Sequence, residues 1–154
     1  MAMDIKGEYR IPADRQTVWN ALNDPEVLKR CIPGCESMEK ETDDSYTARM
    51  LAKIGPVKAR FSTLISLSEL NPPESYTISG EGKGGPAGFG KGSAEVRLTE
   101  SGDETLLNYN ASMQVGGKLA QIGSRLVVGT ARKYADDFFT RFVTVVSGDA
   151  EAAG

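Results

Sequence analysis

The sequence contains no histidine, and this absence removes several kinds of chemistry at once. Histidine is the commonest general base and the commonest zinc ligand, and it completes the Ser-His and Cys-His nucleophile pairs. Any catalysis by this chain would have to rest on carboxylates, tyrosine, lysine or cysteine. The sequence therefore gives no sign of a histidine-based active site.

Cysteine is scarce as well, because the only two thiols, Cys31 and Cys35, both lie in the stretch CIPGC. Two thiols alone cannot complete a tetrahedral metal site. The favoured interpretation is two small, half-buried residues on either side of a Pro-Gly turn, since free cysteine usually behaves as a small hydrophobe. The alternative is a regulatory disulfide. Neither interpretation predicts a bound metal.

Strong charge and long apolar runs are also missing. The chain has 18 basic and 21 acidic residues with no basic block, which argues against a nucleic-acid-binding surface. No signal peptide opens the sequence, and no run approaches the roughly 18 apolar residues of a membrane span. We therefore expect a cytoplasmic protein.

Alternation of apolar and polar residues is the strongest pattern that is present. It begins in IKGEYRI (5–11), is interrupted by two short helical segments in residues 13–31, and returns from residue 34 to about residue 115. Asp24 and Pro25 form a cap and first-turn pair that begins the second helix, which ends near Cys31. Turn signals divide the later region into strands with short connections. We predict an α+β fold with a curved antiparallel sheet of about seven strands.

The sheet is followed by a helical pattern over residues 118–146, which we predict to be one long helix. Its apolar stripe consists of Leu119, Ile122, Leu126, Thr130, Tyr134, Phe138 and Phe142. Gly123 and Gly129 have no side chains, so the first half of the helix is expected to be thin. Residues 1–146 are expected to form a single domain, and residues 147–154 a disordered tail.

The thin half of the helix predicts a cavity. The expected inner face of the sheet carries large side chains that a helix containing Gly123 and Gly129 cannot cover completely. An empty apolar void destabilises a fold by roughly 24 cal/mol per Å³, so a persistent cavity indicates a ligand, here a flat lipophilic one. The alternative is that the small residues let the helix pack closer to the sheet. The predicted ligand-binding residues are Met50, Phe61, Thr63, Tyr76, Phe89, Leu98, Tyr109, Met113, Leu119, Ile122, Gly123 and Leu126.

A glycine-rich run, GPAGFGKG (85–92), comes close to the pattern of a phosphate-binding loop. Such a loop requires a helix directly after it, whereas an alternating strand, SAEVRLTE, follows here. The nucleotide interpretation therefore fails. We predict instead a flexible link between two strands, with Phe89 as a gate at the cavity or a partner-docking residue. A merely loose hairpin is the alternative.

Element order and local motifs together give a family resemblance. One strand, two short helices, six further strands and a long helix resemble the helix-grip fold of the START-like (SRPBCC, Bet v 1-like) superfamily. The sequence is similar to the family of the carbon monoxide dehydrogenase G subunit (CoxG) over residues 3 to about 145. The motifs are W-x-x-L-x-D-P-E at 19–26, CIPGCE at 31–36, GKGGPAGFGKGSAEVRL at 82–98 and QVGGKLAQIGSRL at 114–126.

The resemblance implies a non-enzymatic accessory protein of a carbon monoxide dehydrogenase-like molybdenum hydroxylase. It implies carriage of a quinone or other lipophile, no covalently bound cofactor, and peripheral contact with the inner face of the cytoplasmic membrane. One alternative is a factor that docks the dehydrogenase to the membrane. Another is a small hydrolase or cyclase that uses Thr63, Tyr76 or Tyr109. The sequence does not indicate an oligomeric state.

Overall fold

The computed structural model describes the backbone of residues 2–153 and the side chains of residues 3–147. Within these residues the strands are β1 (Ala2–Ile11), β2 (Cys35–Thr42), β3 (Ser45–Ile54), β4 (Val57–Asn71), β5 (Ser75–Lys83), β6 (Phe89–Ser101) and β7 (Glu104–Gly116). The helices are α1 (Arg15–Leu22), α2 (Pro25–Cys31), α3 (Lys118–Gln121) and α4 (Ser124–Ala153), and one 3₁₀ turn spans Gly85–Ala87.

All seven strands form one curved antiparallel sheet in the order β1-β7-β6-β5-β4-β3-β2. The predicted fold class is confirmed: the sheet is open, two short helices separate β1 from β2, and a long helix closes the chain. The predicted tail, residues 147–154, falls mostly on side chains outside the described set, so it stays a prediction.

The start of α2 shows how local sequence sets an element. The side chain of Asp24 accepts a hydrogen bond of 3.0 Å from the backbone N–H of Glu26, and Pro25 occupies the first turn. Lys29 and Arg30 lie in the last turn, where cations interact favourably with the helix dipole. The acid-proline pair in the sequence thus places the helix as predicted.

The two faces of the sheet follow the predicted alternation. The concave face carries buried residues such as Phe61, Ile65, Val96, Leu98 and Leu107. The side chains between them point to the convex, solvated face. Leu64 is an apolar exception on that face, with half of its surface exposed, as its position in the alternation predicts.

The prediction of a single helix over residues 118–146 is wrong at the start of that segment. The chain forms the short helix α3, breaks at Gly123, which has a φ of +95°, and begins α4 at Ser124. A left-handed backbone of this kind is open to glycine and costly for other residues. The apolar spacing continues through the break, so periodicity alone could not reveal it.

The concave face holds two apolar clusters of different character. The first packs α1, α2 and the C-terminal half of α4 onto the sheet and is rich in aromatic rings, including Trp19, Tyr46, Tyr76 and Phe142. The second lies under α3 and the first turns of α4 and contains smaller side chains such as Ala52, Ala87 and Val127. The second half of the core is therefore the more thinly filled.

Candidate functional site

A cavity of about 480 Å³ lies in the thinly filled half, between the concave face and the first turns of α4. This size is within the range of about 300–1,000 Å³ that is usual for small-molecule sites. Its surface is almost wholly apolar. The inward side chains that line it are Met50, Ala52, Ile54, Phe61, Thr63, Ile65, Ile78, Ala94, Ala111, Met113, Val115, Leu119, Val127, Thr130, Ala131 and Tyr134.

The wall formed by β5 and β6 is bare backbone. Gly80 pairs with Gly92 and Gly82 pairs with Gly90 across the two strands, and all four positions line the cavity. Because these residues alternate with outward side chains, they occupy the inward positions of both strands. We call these four residues the glycine floor. At Gly80 and Gly90 the floor leaves open a volume that strand side chains would fill, since a Cβ built on either would meet nothing nearer than 3.7 Å. At Gly92 the backbone itself approaches, because a Cβ there would lie 2.6 Å from the Ser112 carbonyl oxygen.

The helical side of the cavity is also lightly filled. Val127, Thr130, Ala131 and Tyr134 line it from α4, and Leu119 lines it from α3. Gly129, predicted to thin this side, lies on the exposed side of α4 with nothing within 4 Å of a Cβ built on it. That prediction is wrong. The cavity arises from the glycine floor together with Thr130 and Ala131.

A few polar groups face this apolar space. The hydroxyl oxygens of Thr63 and Thr130 belong to lining side chains and have no hydrogen-bond partner within the described residues. The Tyr134 hydroxyl accepts a 3.1 Å hydrogen bond from the backbone N–H of Lys53, which leaves its own proton free to donate. The lining contains no carboxylate and no thiol. The site can therefore donate hydrogen bonds to a ligand but holds no evident general base.

The structure brings five of the predicted site residues together. Met50, Phe61, Thr63, Met113 and Leu119 all line the cavity. They come from β3, β4, β7 and α3. Their location is established, whereas ligand binding by them stays a prediction.

Three predicted residues lie instead in the aromatic cluster. Tyr76 and Leu98 are buried there, and Tyr76 meets Trp19 edge to face at a ring-centroid distance of 5.3 Å. Tyr109 packs against the same cluster, where its ring stacks 6.1 Å from that of Tyr9. The bulky half of α4 fills this part of the concave face. Tyr76 and Tyr109 thus do not share a site with Thr63, as a hydrolase or cyclase built on these three would require.

Phe89 lies on the other side of the sheet. It pairs with Gly116, and a Cβ built on Gly116 would lie 2.2 Å from the Phe89 ring. Since Val115 and Val96 point inward, the alternation places Gly116 and Phe89 on the convex face. Phe89 is 42% exposed and does not line the cavity. It covers a glycine on the outer face, and the geometry gives it no position at the cavity.

The remaining predicted residues, Ile122, Gly123 and Leu126, do not line the cavity, although Leu119 and Val127 on either side of them in sequence do. A Cβ built on Gly55, in the β3–β4 turn, would lie 3.5 Å from Leu126 Cδ1 and 3.9 Å from Ile122 Cδ1. Leu126 is 48% exposed, which differs from the buried position that the helical stripe predicts. We call this contact between the turn and the start of α4 the end contact.

Sequence reasoning misses the glycine floor, Ile78, Val127 and the role of Tyr134. The signal is available, because extending the alternation of SYTISGEG and SAEVRLTE into the glycine run places residues 80, 82, 90 and 92 inward. The prediction of a flexible link places this run in a loop instead. In the structure only Gly84, Gly85 and Gly88 lie in the connection between β5 and β6.

The two cysteines are free thiols, Cys31 buried and Cys35 half-buried. Burial raises the pKa of both thiols above the ordinary value of 9.0. The Cys35 thiol donates to the backbone carbonyl of Ser37 at 3.3 Å. No group of three or more Cys, Asp or Glu side chains in the described part of the chain is placed to hold a metal ion.

Solved structures with this fold are numerous. A conserved protein from Geobacillus kaustophilus is 33% identical, with a TM-score of 0.90 over 95% of this chain and 96% of that one. The ZhuI aromatase/cyclase from Streptomyces sp. R1128 is 14% identical, with a TM-score of 0.74 over 100% and 99% of the two chains. Ara h 8.0201 is 12% identical, with a TM-score of 0.68 over 96% and 99%. The last two show the fold alone.

The sequence model of one family, described as the G subunit of carbon monoxide dehydrogenase (CoxG), matches residues 7–147. No curated protein matches the chain significantly. The helix-grip architecture, the four sequence motifs and this match over nearly the whole described chain agree with one another. The chain belongs to the CoxG family.

Proposed function

We propose that this protein is a non-enzymatic carrier of a quinone-like lipophile and an accessory protein of a carbon monoxide dehydrogenase-like molybdenum hydroxylase. The observation that carries the proposal is the cavity of about 480 Å³ with its almost wholly apolar lining. The family name supplies the partner enzyme. The apolar lining of the cavity indicates that the bound molecule is lipophilic.

The shape and polarity of the cavity favour a flat ring with an apolar tail. The glycine floor presents peptide planes without side chains, so a planar ring can approach the backbone closely. The hydroxyls of Thr63, Thr130 and Tyr134 can donate hydrogen bonds to ring carbonyl oxygens. A quinone accepts hydrogen bonds and donates none, which matches a lining that lacks carboxylates.

Carriage requires moderate affinity rather than trapping. Burial of about 300 Å² of apolar ligand surface would contribute roughly 7 kcal/mol before the costs of association are subtracted. That gain corresponds to binding no tighter than the micromolar range. A ligand held at this strength can be released to a partner.

Filling the cavity tests the proposal directly. A Cβ built on Gly80 would have only the Leu64 carbonyl oxygen within 4 Å, at 3.9 Å, and one built on Gly90 would be 3.7 Å from Val115 Cγ1. The double variant Gly80→Val with Gly90→Val should therefore fold while occupying the site. We expect its affinity for a short-chain quinone, measured by calorimetry, to fall about tenfold or more.

The matched control is Thr77→Val with Thr99→Val, because these residues occupy outward positions of the same two strands and do not line the cavity. This control should bind the quinone as the unmodified protein does. Equal binding by the filled variant and the control would contradict the cavity as the site. Mass spectrometry of an organic extract of the protein from its native host identifies the cargo, and absence of any lipophile would count against carriage.

The cyclase alternative has one observation in its favour, the shared fold with an aromatase/cyclase. At 14% identity that likeness concerns the fold and not the chemistry. The cavity lining offers hydroxyls and no carboxylate to act as a base. The carrier proposal accounts for this lining better than the cyclase alternative does.

A further inference from the structure

The first turns of α4 are the most weakly packed part of the cavity wall. Of residues 124–134, only Val127 is buried. The segment begins directly after the left-handed break at Gly123, and its start meets the β3–β4 turn at the end contact, where Leu126 is 48% exposed. Few buried apolar contacts give a segment a low free energy of local opening. This half of the helix is therefore the part of the cavity wall that opens most easily.

Two side-chain hydrogen bonds join α4 to opposite sides of the sheet. The Tyr9 hydroxyl on β1 donates to Asp136 at 2.6 Å, and the Tyr134 hydroxyl accepts from the backbone N–H of Lys53 on β3 at 3.1 Å. Within residues 3–147, no other side-chain hydrogen bond and no ion pair joins α4 to the sheet. The Asp136 bond lies beside the aromatic cluster, whereas Tyr134 lines the cavity. The bond to Lys53 therefore holds the weakly packed half of the helix.

The N–H of Lys53 lies on a stretch of β3 that no neighbouring strand covers on that side. β2 pairs with β3 only as far as Met50. The N–H of Leu51, just beyond, donates to the backbone carbonyl of Gly34 at 2.8 Å, and the N–H of Lys53 donates to Tyr134. Water can replace the tyrosine at such an open edge, so breaking this bond leaves neither group unsatisfied. The hydrogen bond can therefore open without disturbing the sheet.

The proton of the Tyr134 hydroxyl links this bond to the content of the cavity. The hydroxyl oxygen accepts from Lys53, and no described residue accepts the hydroxyl proton in turn. A ligand carbonyl oxygen would supply that acceptor and form a chain of two hydrogen bonds, each of which strengthens the other. A hydrocarbon ligand would leave the proton without an acceptor, which favours turning of the hydroxyl out to water. The bond to Lys53 therefore depends on whether the ligand carries a carbonyl group.

We propose that the hydrogen bond between the Tyr134 hydroxyl and the Lys53 N–H is a latch, which a carbonyl-bearing lipophile closes and a bare hydrocarbon does not. This inference rests on the proposed carrier function. The closed latch keeps the first turns of α4 on the edge of β3 and retains the cargo. Its opening separates the two elements and releases the cargo. Because the coupling between ligand and latch is reciprocal, Tyr134 selects quinone-like cargo by its rate of release as well as by affinity.

Exchange of the Lys53 backbone amide proton with solvent, followed by NMR, tests the latch in the unmodified protein. The two ligands are menadione, a naphthoquinone, and methylnaphthalene, a hydrocarbon with the same ring system. At about 20 times its dissociation constant, menadione should slow the exchange about tenfold to twentyfold, because it binds the closed latch in preference to the open one. Methylnaphthalene at the same saturation should change the exchange by less than about twofold. Equal slowing by both ligands overturns the inference.

Tyr134→Phe keeps the ring and removes the hydroxyl. In this variant the Lys53 amide should exchange about threefold to tenfold faster without ligand, and menadione should leave in stopped-flow displacement faster by a similar factor. Menadione should no longer slow the exchange more than methylnaphthalene does. The matched control is Thr63→Val, which removes another lining hydroxyl. Although it binds menadione less tightly, saturating menadione should still slow exchange at Lys53. Unchanged exchange at Lys53 in Tyr134→Phe overturns the latch.

Calorimetry with menadione separates this inference from the carrier function. If menadione binds but does not slow exchange at Lys53 more than methylnaphthalene does, the latch is rejected and the carrier function stands. If menadione does not bind, the carrier function is rejected and the selection of cargo by Tyr134 with it.

Discussion

At the scale of single residues, Thr63 is the sharpest probe of what the cavity binds. Its hydroxyl belongs to a lining side chain at the centre of the concave face, beside the glycine floor, where a Cβ built on Gly82 would lie 3.1 Å from it. A hydrogen bond from a side chain to a bound ligand contributes about 0.5–1.5 kcal/mol. The hydroxyl can therefore distinguish a quinone from a hydrocarbon of the same size.

Thr63→Val removes this hydroxyl and keeps the branched shape. We expect affinity for a short-chain quinone to fall about threefold to tenfold, because one donor to a ring carbonyl oxygen is lost. Affinity for an aromatic hydrocarbon of similar size should stay the same, and titration of both ligands by calorimetry provides the comparison. An unchanged quinone affinity would remove Thr63 from the site.

Tyr9 shows how the aromatic half of the core is held together. Its hydroxyl donates a 2.6 Å hydrogen bond to Asp136 on α4, and its ring stacks on Phe139 at 4.2 Å. Burial raises the pKa of Tyr9, and the hydrogen bond to the Asp136 carboxylate raises it further. Tyr9 thus connects β1 to the C-terminal half of α4. The N-terminal half of the same helix lies over the cavity.

At the scale of elements, the break between α3 and α4 separates two roles within one predicted helix. α3 closes the end of the cavity with Leu119, and α4 covers its side. Gly123 makes this possible because its backbone is left-handed, with a φ of +95°. Gly129, by contrast, lies inside the exposed part of a regular helix.

These two glycines give a matched pair of variants. Gly123→Ala should destabilise the protein by about 1–2 kcal/mol, since a side chain in the left-handed region is strained. Gly129→Ala should stabilise it by about 0.5–1 kcal/mol, because glycine is the weaker helix former and nothing obstructs a methyl group there. Urea unfolding measures both. If both variants changed the free energy of unfolding in the same direction, the result would contradict the helix break at Gly123.

The β5–β6 hairpin is the element whose role differs most from the prediction. Its glycine content predicts a mobile gate, whereas the inward glycines continue the strands and form the floor of the cavity. Composition favours a loop because glycine is depleted in strands. Pairing with β4 and β7 on either side outweighs that local preference.

At the scale of the whole molecule, the absence of histidine predicts a simple dependence of stability on pH. No side chain of ordinary pKa titrates between about pH 6 and 8. Burial raises the pKa of Cys31, Cys35 and Tyr46 in the folded state above the ordinary values of 9.0 for cysteine and 10.0 for tyrosine. The unfolded chain therefore loses these protons at a lower pH than the folded chain does.

It follows that the free energy of unfolding should be constant near neutrality, fully retained below about pH 8, and should decline as the pH rises through about 9 and 10. Denaturant unfolding across this range measures it. Tyr9→Phe should make the decline shallower, because one of the groups with a raised pKa is removed. A decline that begins below about pH 7 would contradict this account.

No helix among the described residues has both the length and the apolar character needed to cross a bilayer.

Local patterns in the sequence are enough to predict the alternating strands with their inward and outward faces, the two short helices after β1, and the family. Strand alternation, the Asp24-Pro25 cap and the aromatic stripe of α4 depend on neighbouring residues, so local physical preferences predict them. Thr63 and Met113 follow from alternation alone as residues of the cavity. The lack of histidine likewise limits the chemistry that the chain can perform.

The position and the lining of the cavity, by contrast, depend on tertiary contacts. Tyr76 and Tyr109 share the inward face with Thr63 but are covered. Trp19 of α1 packs on Tyr76, and Phe139 of α4 stacks on Tyr109. The cavity under the first turns of α4 leaves Thr63 open. The floor requires the register that pairs Gly80 with Gly92. Register and helix placement depend on contacts between distant segments, so no local pattern in the sequence fixes them.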